Sequence, residues 1–283
     1  HNTEDKDSYW FLDPDKYSSS VTLFNIGGEN SLVLKFPYLR RSYQSKKSVT
    51  VVIAEALPNT AVLAFTSMIF ALIVGVTIGI FAALHRNKFF DRFSLVSAVA
   101  GMSLPSFFAA ILAAWIFAFL LADITGLSMY GSLYGVDDFG EGEYMDLRNL
   151  ILPALTLGIR PLAVIIQLTR NSLLEELSSD YVRTAKSKGL STRKVVLRHA
   201  LKNAMNPVIT TFSGWLASLL AGAVFIEYIF DWKGIGVVIV NGLEKYDFPI
   251  VMGCVLTVSV ILIIITILVD ILYAWLDPRV RLQ

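Results

Sequence analysis

A strongly basic segment over residues 180–202 is the part of this sequence best equipped for intermolecular chemistry. It contains seven Lys or Arg residues and one acid, Asp180, and it lies between two long apolar runs. Such a density of cations favours contact with an anionic surface. A short amphipathic helix of this kind could dock into a groove on another protein or lie against the phosphates of membrane lipids. The residues alone leave both partners open.

Several other kinds of chemistry find no support in the residue pattern. No G-x-x-x-x-G-K-[ST] sequence occurs, so the chain has no phosphate cradle for ATP. The histidines, His1, His85 and His199, are far apart and indicate no metal site. The apolar runs hold no Asp/Asp, Ser/Lys or His-x-x-x-His arrangement, which disfavours an intramembrane enzyme. The single cysteine, Cys254, excludes a disulfide within the chain.

The elements that position the basic segment are membrane spans. The chain is 55% hydrophobic and 17% charged, and the apolar residues are concentrated in blocks. Five blocks are long enough to cross a bilayer at about 20 residues each, which predicts an all-α polytopic membrane protein. The predicted spans cover about residues 57–84, 93–122, 150–170, 204–226 and 248–275. Pro58 is expected in the first turn of its helix, and a break is expected over residues 103–106.

Charge asymmetry predicts which way the spans run. The loops at 85–92 and 175–203 and the C-terminal tail are basic and are expected in the cytoplasm. The loop at 123–149 has six acids and one base, and it is expected outside. This topology makes residues 1–56 an external region, with residues 57–283 as the membrane domain. We therefore expect a further span or signal upstream, giving six spans in the intact protein.

The basic segment itself is expected to form two helices. The first would continue from the third span through about Lys188. Gly189 can adopt the positive φ that ends a helix, and Ser191 is a plausible N-cap for the second helix.

Several stretches form a recognisable set: residues 180–190 and 198–207, Leu57-Pro-Asn-Thr60, Leu104-Pro-Ser-Phe107, residues 152–158, 168–172 and 227–236, and Val269 to Arg279. The first two resemble the EAA loop of binding-protein-dependent ABC importer permeases, in the dipeptide, oligopeptide and nickel branch, and the whole set resembles the B-type subunit. Arg183 occupies the position of the Glu in the general pattern, as is usual in the peptide branch. The stretches occur in the family's order over about residues 45–283.

The resemblance implies a type I ABC importer transmembrane fold and a transport subunit that is not an enzyme. Implied partners are a related second permease, two cytoplasmic ATPase subunits, an external substrate-binding protein and the lipid bilayer, with no nucleic acid. ATP and Mg²⁺ would be bound by the partner subunits, and no cofactor or metal by this chain. The implied cargo is a peptide, with nickel or a metal chelate as the alternative. A stand-alone channel or secondary transporter is the alternative of a different class. The ATPase-coupling residues would be Asp180, Tyr181, Arg183, Thr184, Ala185, Lys186, Lys188, Gly189 and Leu190, with Val182 as a further anchor.

Polar residues in or beside the spans are the remaining candidates, because charges are costly there. Arg160 and Gln167 are predicted to face the translocation path, although Arg160 could instead pair with a carboxylate of a partner subunit. Glu227 is assigned to an external gate region, where a structural role is favoured over substrate contact.

Overall fold

A computed structural model describes residues 20–25, 31–35, 38–136, 143–220 and 223–276, and most of these residues are helical. The longer helices are α1 (Val49–Leu84), α2 (Phe89–Ser103), α3 (Ser106–Ala113), α5 (Arg148–Leu177), α6 (Asp180–Ser187), α9 (Asn206–Leu220), α11 (Ile235–Glu244) and α12 (Phe248–Leu276). The short ones are α4 (Ala122–Thr125), α7 (Thr192–Val195), α8 (Leu201–Ala204) and α10 (Val224–Ile229), with π-helical turns at Ala114–Leu120 and Val196–Ala200. Strands β1 (Ser20–Asn25) and β2 (Ser31–Lys35) form one antiparallel pair, and β3 (Tyr134–Val136) and β4 (Glu143–Met145) form another.

The centre of the fold is the pair α1 and α5, which approach closely through glycines. A Cβ on Gly75 would lie 2.8 Å from Ile165 Cγ2, and one on Gly79 would lie 2.6 Å from Thr169 Cβ. Gly158 of α5 likewise leaves room for a side chain of α1. Gly75 and Gly79 are small residues four apart in the sequence, a pattern that lets two helix backbones pack against each other.

Helix α1 begins earlier than expected, at Val49, so Pro58 lies inside the helix instead of in its first turn. The added turns are stabilised by burial, because Val49 and Ile53 pack in a cluster with Ile235 and Cys254. A proline in a helix removes one backbone hydrogen bond. Packing against distant residues offsets the cost of the lost hydrogen bond, and the sequence around Pro58 does not reveal that packing.

The break expected over residues 103–106 is confirmed. Helix α2 ends at Ser103, and Leu104 adopts an extended conformation with ψ 129°. Pro105 follows, and a residue before proline is sterically pushed out of the helical region. The axes of Phe89–Ser103 and Ser106–Leu120 differ in direction by 106°.

Three helices are long and apolar enough to cross a membrane among the described residues: Val49–Leu84, Arg148–Leu177 and Phe248–Val269. The bent pair of α2 with residues 106–120 would make a fourth. The region predicted as the span 204–226 contains α9, which is 15 residues long. It is followed by α10 from Val224, and residues 221–222 between them lie outside the described part of the chain.

Candidate functional sites: a coupling surface and a buried outer network

The basic segment begins at a turn that the sequence did not predict. Helix α5 ends at Leu177 and does not continue to Lys188, so the expected continuous helix is wrong. The hydroxyls of Ser178 and Ser179 donate to the carbonyls of Glu175 and Glu176, each at 2.6 Å. Ser179 then takes an extended conformation with ψ 154°, and α6 starts at the next residue. Serine favours such local hydrogen bonds over continuing a helix.

The inner face of α6 is packed against the chain's own helices. Val182 is completely buried and Ala185 is 7% exposed, in one cluster with Leu173 of α5 and Val195 and Val196 of the next helix. Val182 therefore cannot serve as an anchor on a partner in this structure, because its apolar side chain is already used. Leu190 is half-buried against the same cluster. The packing joins α6 firmly to the end of α5.

The outer face of α6 is exposed and carries polar and basic side chains. Asp180, Tyr181, Arg183, Thr184 and Lys186 of α6 are exposed, as is Lys188 directly after its end. Arg183 and Asp180 form a loose ion pair of 3.7 Å. Exposed pairs of this kind contribute little to stability, so both groups are available to a partner. We call these six residues, together with Gly189, the coupling surface.

Tyr181 is fixed in place at the edge of the coupling surface. Its hydroxyl donates to the Glu176 carboxylate and accepts a hydrogen bond from Asn203 Nδ2 at 3.1 Å. Burial raises the pKa of Tyr181, and the hydrogen bond to Glu176 raises it further, so the phenol stays neutral. The ring thus presents a rigid apolar edge next to the basic side chains.

Gly189 ends this part of the segment in the conformation expected from the sequence. Its φ is +77°, in the left-handed region that favours glycine. A Cβ built on it meets nothing within 4 Å, so the space beside it is open. Beyond it, Ser191 takes the N-cap position of α7 without a side-chain cap hydrogen bond. An open groove of about 420 Å³ follows, lined by Ser191, Arg193, Lys194, Leu197 and Arg198.

A partly buried ion pair connects α2 to α5, the helix that precedes α6. Arg170 of α5 donates from Nε to Asp91 Oδ1 at 2.7 Å and from an Nη to Asp91 Oδ2 at 2.8 Å. Asp91 lies in the first turn of α2, is 1% exposed and also accepts from the Asn87 backbone N–H. The bidentate geometry fixes the start of α2 relative to the end of α5. Sequence reasoning missed this pair because 79 positions separate the two residues.

Arg160 and Gln167 lie on α5, seven residues apart, and hence on one face of that helix. Arg160 is exposed, and no carboxylate of the described residues lies within 4 Å of its guanidinium. Gln167 Nε2 is 3.4 Å from Met102 Sδ near the end of α2. This face therefore borders the bend between α2 and α3.

Glu227 is completely buried and fully hydrogen-bonded. Its Oε1 accepts from Thr60 Oγ1 at 2.8 Å, and its Oε2 accepts from the Gly236 backbone N–H at 2.6 Å. Thr60 Oγ1 in turn accepts from the Ile235 N–H at 2.8 Å. Burial raises the pKa of Glu227, and the hydrogen bonds partly offset that effect. The carboxylate ties the 227–236 loop to α1 and meets no open surface.

Trp232 and Asn59 extend this buried network. The indole Nε1 donates to the Asn59 carbonyl at 2.9 Å, and Asn59 Nδ2 donates to the Lys233 carbonyl at 2.9 Å. Trp232 is completely buried. The stretches 57–60 and 227–236, which were noted separately in the sequence, are thus the two halves of one joint. The sequence pattern of each stretch alone gives no indication that the two are in contact.

A second carboxylate, Asp247, holds the segment that precedes α1. It accepts from the Ser42 hydroxyl, from the Tyr43 N–H at 3.1 Å and from the Gln44 N–H at 3.3 Å. Gln44 Nε2 also donates to the Lys245 carbonyl at 3.0 Å. Burial alone would raise the pKa of Asp247, but the hydrogen bonds dominate and lower it. Sequence reasoning did not single out this residue.

The described residues show no arrangement suited to metal binding. In that part of the chain, no three His, Cys, Asp or Glu side chains are grouped as metal ligands would be. Helix α12 is the most exposed of the long apolar helices, because only 11% of its most apolar stretch is buried within the chain. It therefore has a large apolar surface for lipid or another subunit.

The fold and these surfaces define a polytopic helical membrane subunit with an exposed basic loop between two of its helices. Residues 75–282 match the family described as "Binding-protein-dependent transport system inner membrane component". This chain belongs to that family. It is therefore a permease subunit of an ABC importer in the inner membrane, and a transport subunit instead of an enzyme.

Named relatives agree with this assignment. The chain is 38% identical over 256 residues to the dipeptide transport system permease protein DppB of Escherichia coli K12, covering 84% of this chain and 76% of that protein. It is 40% identical over 242 residues to the di/tripeptide transport system permease protein DppB of Pseudomonas aeruginosa, covering 80% and 71%.

Solved structures show the same fold at low sequence identity. The chain resembles the inward-facing MetNI methionine ABC transporter with a TM-score of 0.63 at 14% identity, covering 81% of this chain and 98% of that one. An amino acid ABC transporter solved with histidines gives a TM-score of 0.52 at 14% identity, covering 82% and 95%. The expected type I ABC importer transmembrane fold is therefore confirmed.

Proposed function

We propose that this chain forms half of a pore that imports peptides across the cytoplasmic membrane. The other half is a related permease, two cytoplasmic ATPase subunits supply the energy, and an external binding protein delivers the cargo. The names of the relatives, which refer to di- and tripeptides, support peptides as the cargo. The basic loops support a cytoplasmic position for the coupling surface and for the C-terminus.

The observation that carries the proposal is the two-sided construction of α6. Its inner face is buried against α5 and the following helix, with Val182 and Leu173 both at 0% exposure. Its outer face is polar, basic and open. An element so firmly packed on one side transmits a push on its other side to α5. A lipid-binding loop would need the cations but not this rigid connection.

A movement of α5 driven by the ATPase would reach the pore at the bend between α2 and α3, which lies beside α5. The Asp91–Arg170 pair connects α5 to the start of α2, and α2 ends at the bend before Pro105. Arg160 and Gln167 lie on the α5 face that borders this bend. We assign both to the translocation path, where Arg160 would attract the carboxylate of a peptide.

Reconstitution tests the proposed function. The complete transporter, with its ATPases and permease partner in proteoliposomes, is supplied with the binding protein and labelled dipeptides, longer peptides or Ni²⁺. The proposal predicts ATP-dependent uptake of peptide that requires the binding protein. Uptake of Ni²⁺ without peptide uptake would favour the metal alternative, and uptake without ATP would indicate a channel or secondary transporter.

A further inference from the structure

A concave site on the outer side of the chain is separate from the coupling surface. It is a cavity of about 540 Å³ between α10, α11 and the loop before β3. Its lining residues are Tyr130, Tyr228, Ile229, Asp231, Val237 and Asn241. We call it the outer cup. Its position outside the membrane rests on the topology proposed above.

Among the described residues that line the outer cup, only Asp231 has a formal charge. In the part of the chain that the structure describes, no Lys or Arg nitrogen lies within 4 Å of its carboxylate. Tyr130 and Tyr228, which are 63% and 50% exposed, and the amide of Asn241 line the same cavity. A carboxylate that shares a cavity with two tyrosine rings favours a cation, by charge and by the attraction of a cation to the ring faces.

The outer cup is held rigid from beneath. Phe230 and Trp232, on either side of Asp231, are 1% and 0% exposed, so the acid is the one residue of the three that points outward. Its φ of +51° is unusual for a residue with a side chain. Such conformations persist where the surroundings enforce them, often at functional sites. Here the Glu227 network fixes the loop directly below.

The Tyr130 side of the outer cup is tied to the same base. The Gly131 N–H donates to the Phe230 carbonyl at 3.2 Å, which connects the two walls. Asn149 Nδ2 donates to the Ser132 carbonyl at 3.1 Å and holds that loop from behind. The acid and the two rings are therefore pre-positioned, and binding costs little ordering of the site.

We propose that the outer cup receives a Lys or Arg side chain of the external binding protein when that protein docks. The loop that follows Tyr130 in the chain is also acidic, with five acids against one base over residues 137–148, and this charge complements a basic partner. Exposed tyrosines around a pocket are typical of protein interfaces. The wide mouth suits a side chain presented from a large surface. The amino terminus of a peptide cargo is the competing source of the same cation, and the test separates the two.

Asp231→Asn tests the proposal because asparagine also tolerates a positive φ and removes only the charge. The affinity of the binding protein for the complete transporter in nanodiscs is measured against salt concentration. We expect Asp231→Asn to weaken docking about three- to tenfold at low salt and to flatten the salt dependence. The matched control is Asp123→Asn, which removes an exposed acid of the same outer side away from the cup. Tyr130→Ala, at an exposed position, should also weaken docking.

The outcomes are distinct. Unchanged docking by Asp231→Asn and Tyr130→Ala, or an equal loss in Asp123→Asn, would overturn the proposal. A loss seen only with cargo peptides that have a free amino terminus, and absent with N-acetylated peptides, would assign the cup to the cargo and also overturn it. If the wild-type transporter showed no docking at all, the proposed function would fail first. Normal wild-type docking with no variant effect would refute the outer cup alone.

Discussion

Replacing Gly189 by aspartate separates the coupling role of the basic segment from its contribution to the fold. At φ +77°, an ordinary L residue costs roughly 1–2 kcal/mol, and Asp costs less because it tolerates left-handed backbone. No atom lies within 4 Å of the position of the new Cβ. The helical layer beneath, with Val182 and Val195 fully buried, is not touched. The isolated subunit should therefore fold and assemble.

The effect on transport should be much larger than the effect on folding. The side chain of Gly189→Asp would fill the open space that we assign to the ATPase, and it would place a negative charge close to Lys186 and Lys188. We expect ATP-driven peptide uptake to fall at least tenfold, which corresponds to about 1.4 kcal/mol of lost coupling. The assay is uptake into proteoliposomes alongside ATP hydrolysis and the amount of ATPase subunit that co-purifies.

A matched control is available at Gly126, which also has a positive φ, of 62°, and open space around its Cβ position. Gly126→Asp carries the same backbone cost on the outer side and should transport normally. Gly189→Asn then separates the added bulk from the added charge. Normal uptake by Gly189→Asp, or an equal loss in Gly126→Asp, would refute the reasoning.

Three further predictions concern contacts that hold the helices, and the segment before α1, in place. Asp91→Asn and Arg170→Gln should each lower the unfolding free energy in detergent by about 3 kcal/mol, while the double variant should cost little more than either; full additivity would contradict a shared pair. The lowered pKa of Asp247 means that its ionised form stabilises the fold above the ordinary pKa of about 3.9 and that this contribution is lost as pH falls through the lower folded value. Hydrogen-exchange protection of the segment it holds should thus be equal at pH 7 and pH 5 and fall only in stronger acid, whereas Asp247→Asn should lower the protection at pH 7 and pH 5 and remove the further fall in acid. Gly79→Ala, whose Cβ would lie 2.6 Å from a side chain of α5, should cost about 1–3 kcal/mol in unfolding free energy, whereas Gly214→Ala, with open space, should cost nothing.

Features governed by neighbouring residues were readable from the sequence. Pro105 forces the preceding residue out of the helix, and the break appears where it was expected. Gly189 adopts the positive φ that its position suggested. Gly75 and Gly79 permit the close approach of two helices. In each case the physical cause lies within a few positions along the chain.

Features governed by distant contacts were not readable. The early start of α1 depends on packing against Ile235 and Cys254. Thr60 and Glu227 are 167 positions apart, and only the fold shows that they share a hydrogen bond. The end of α5 was missed for a different reason, since two serines compete locally with helix continuation and the apolar pattern conceals them. Which side chains of the basic segment face outward also required the structure.

The proposed coupling requires that the outer face of α6 docks on an ATPase subunit. A photo-cross-linking amino acid at Lys186, an exposed position, tests it most directly in membranes that contain the complete transporter. Tyr246, which is 89% exposed and lies on the proposed outer side, is the control position. We expect a cross-link to the ATPase from position 186 and none from position 246. No ATPase adduct at 186, or an equally strong one at 246, would contradict it.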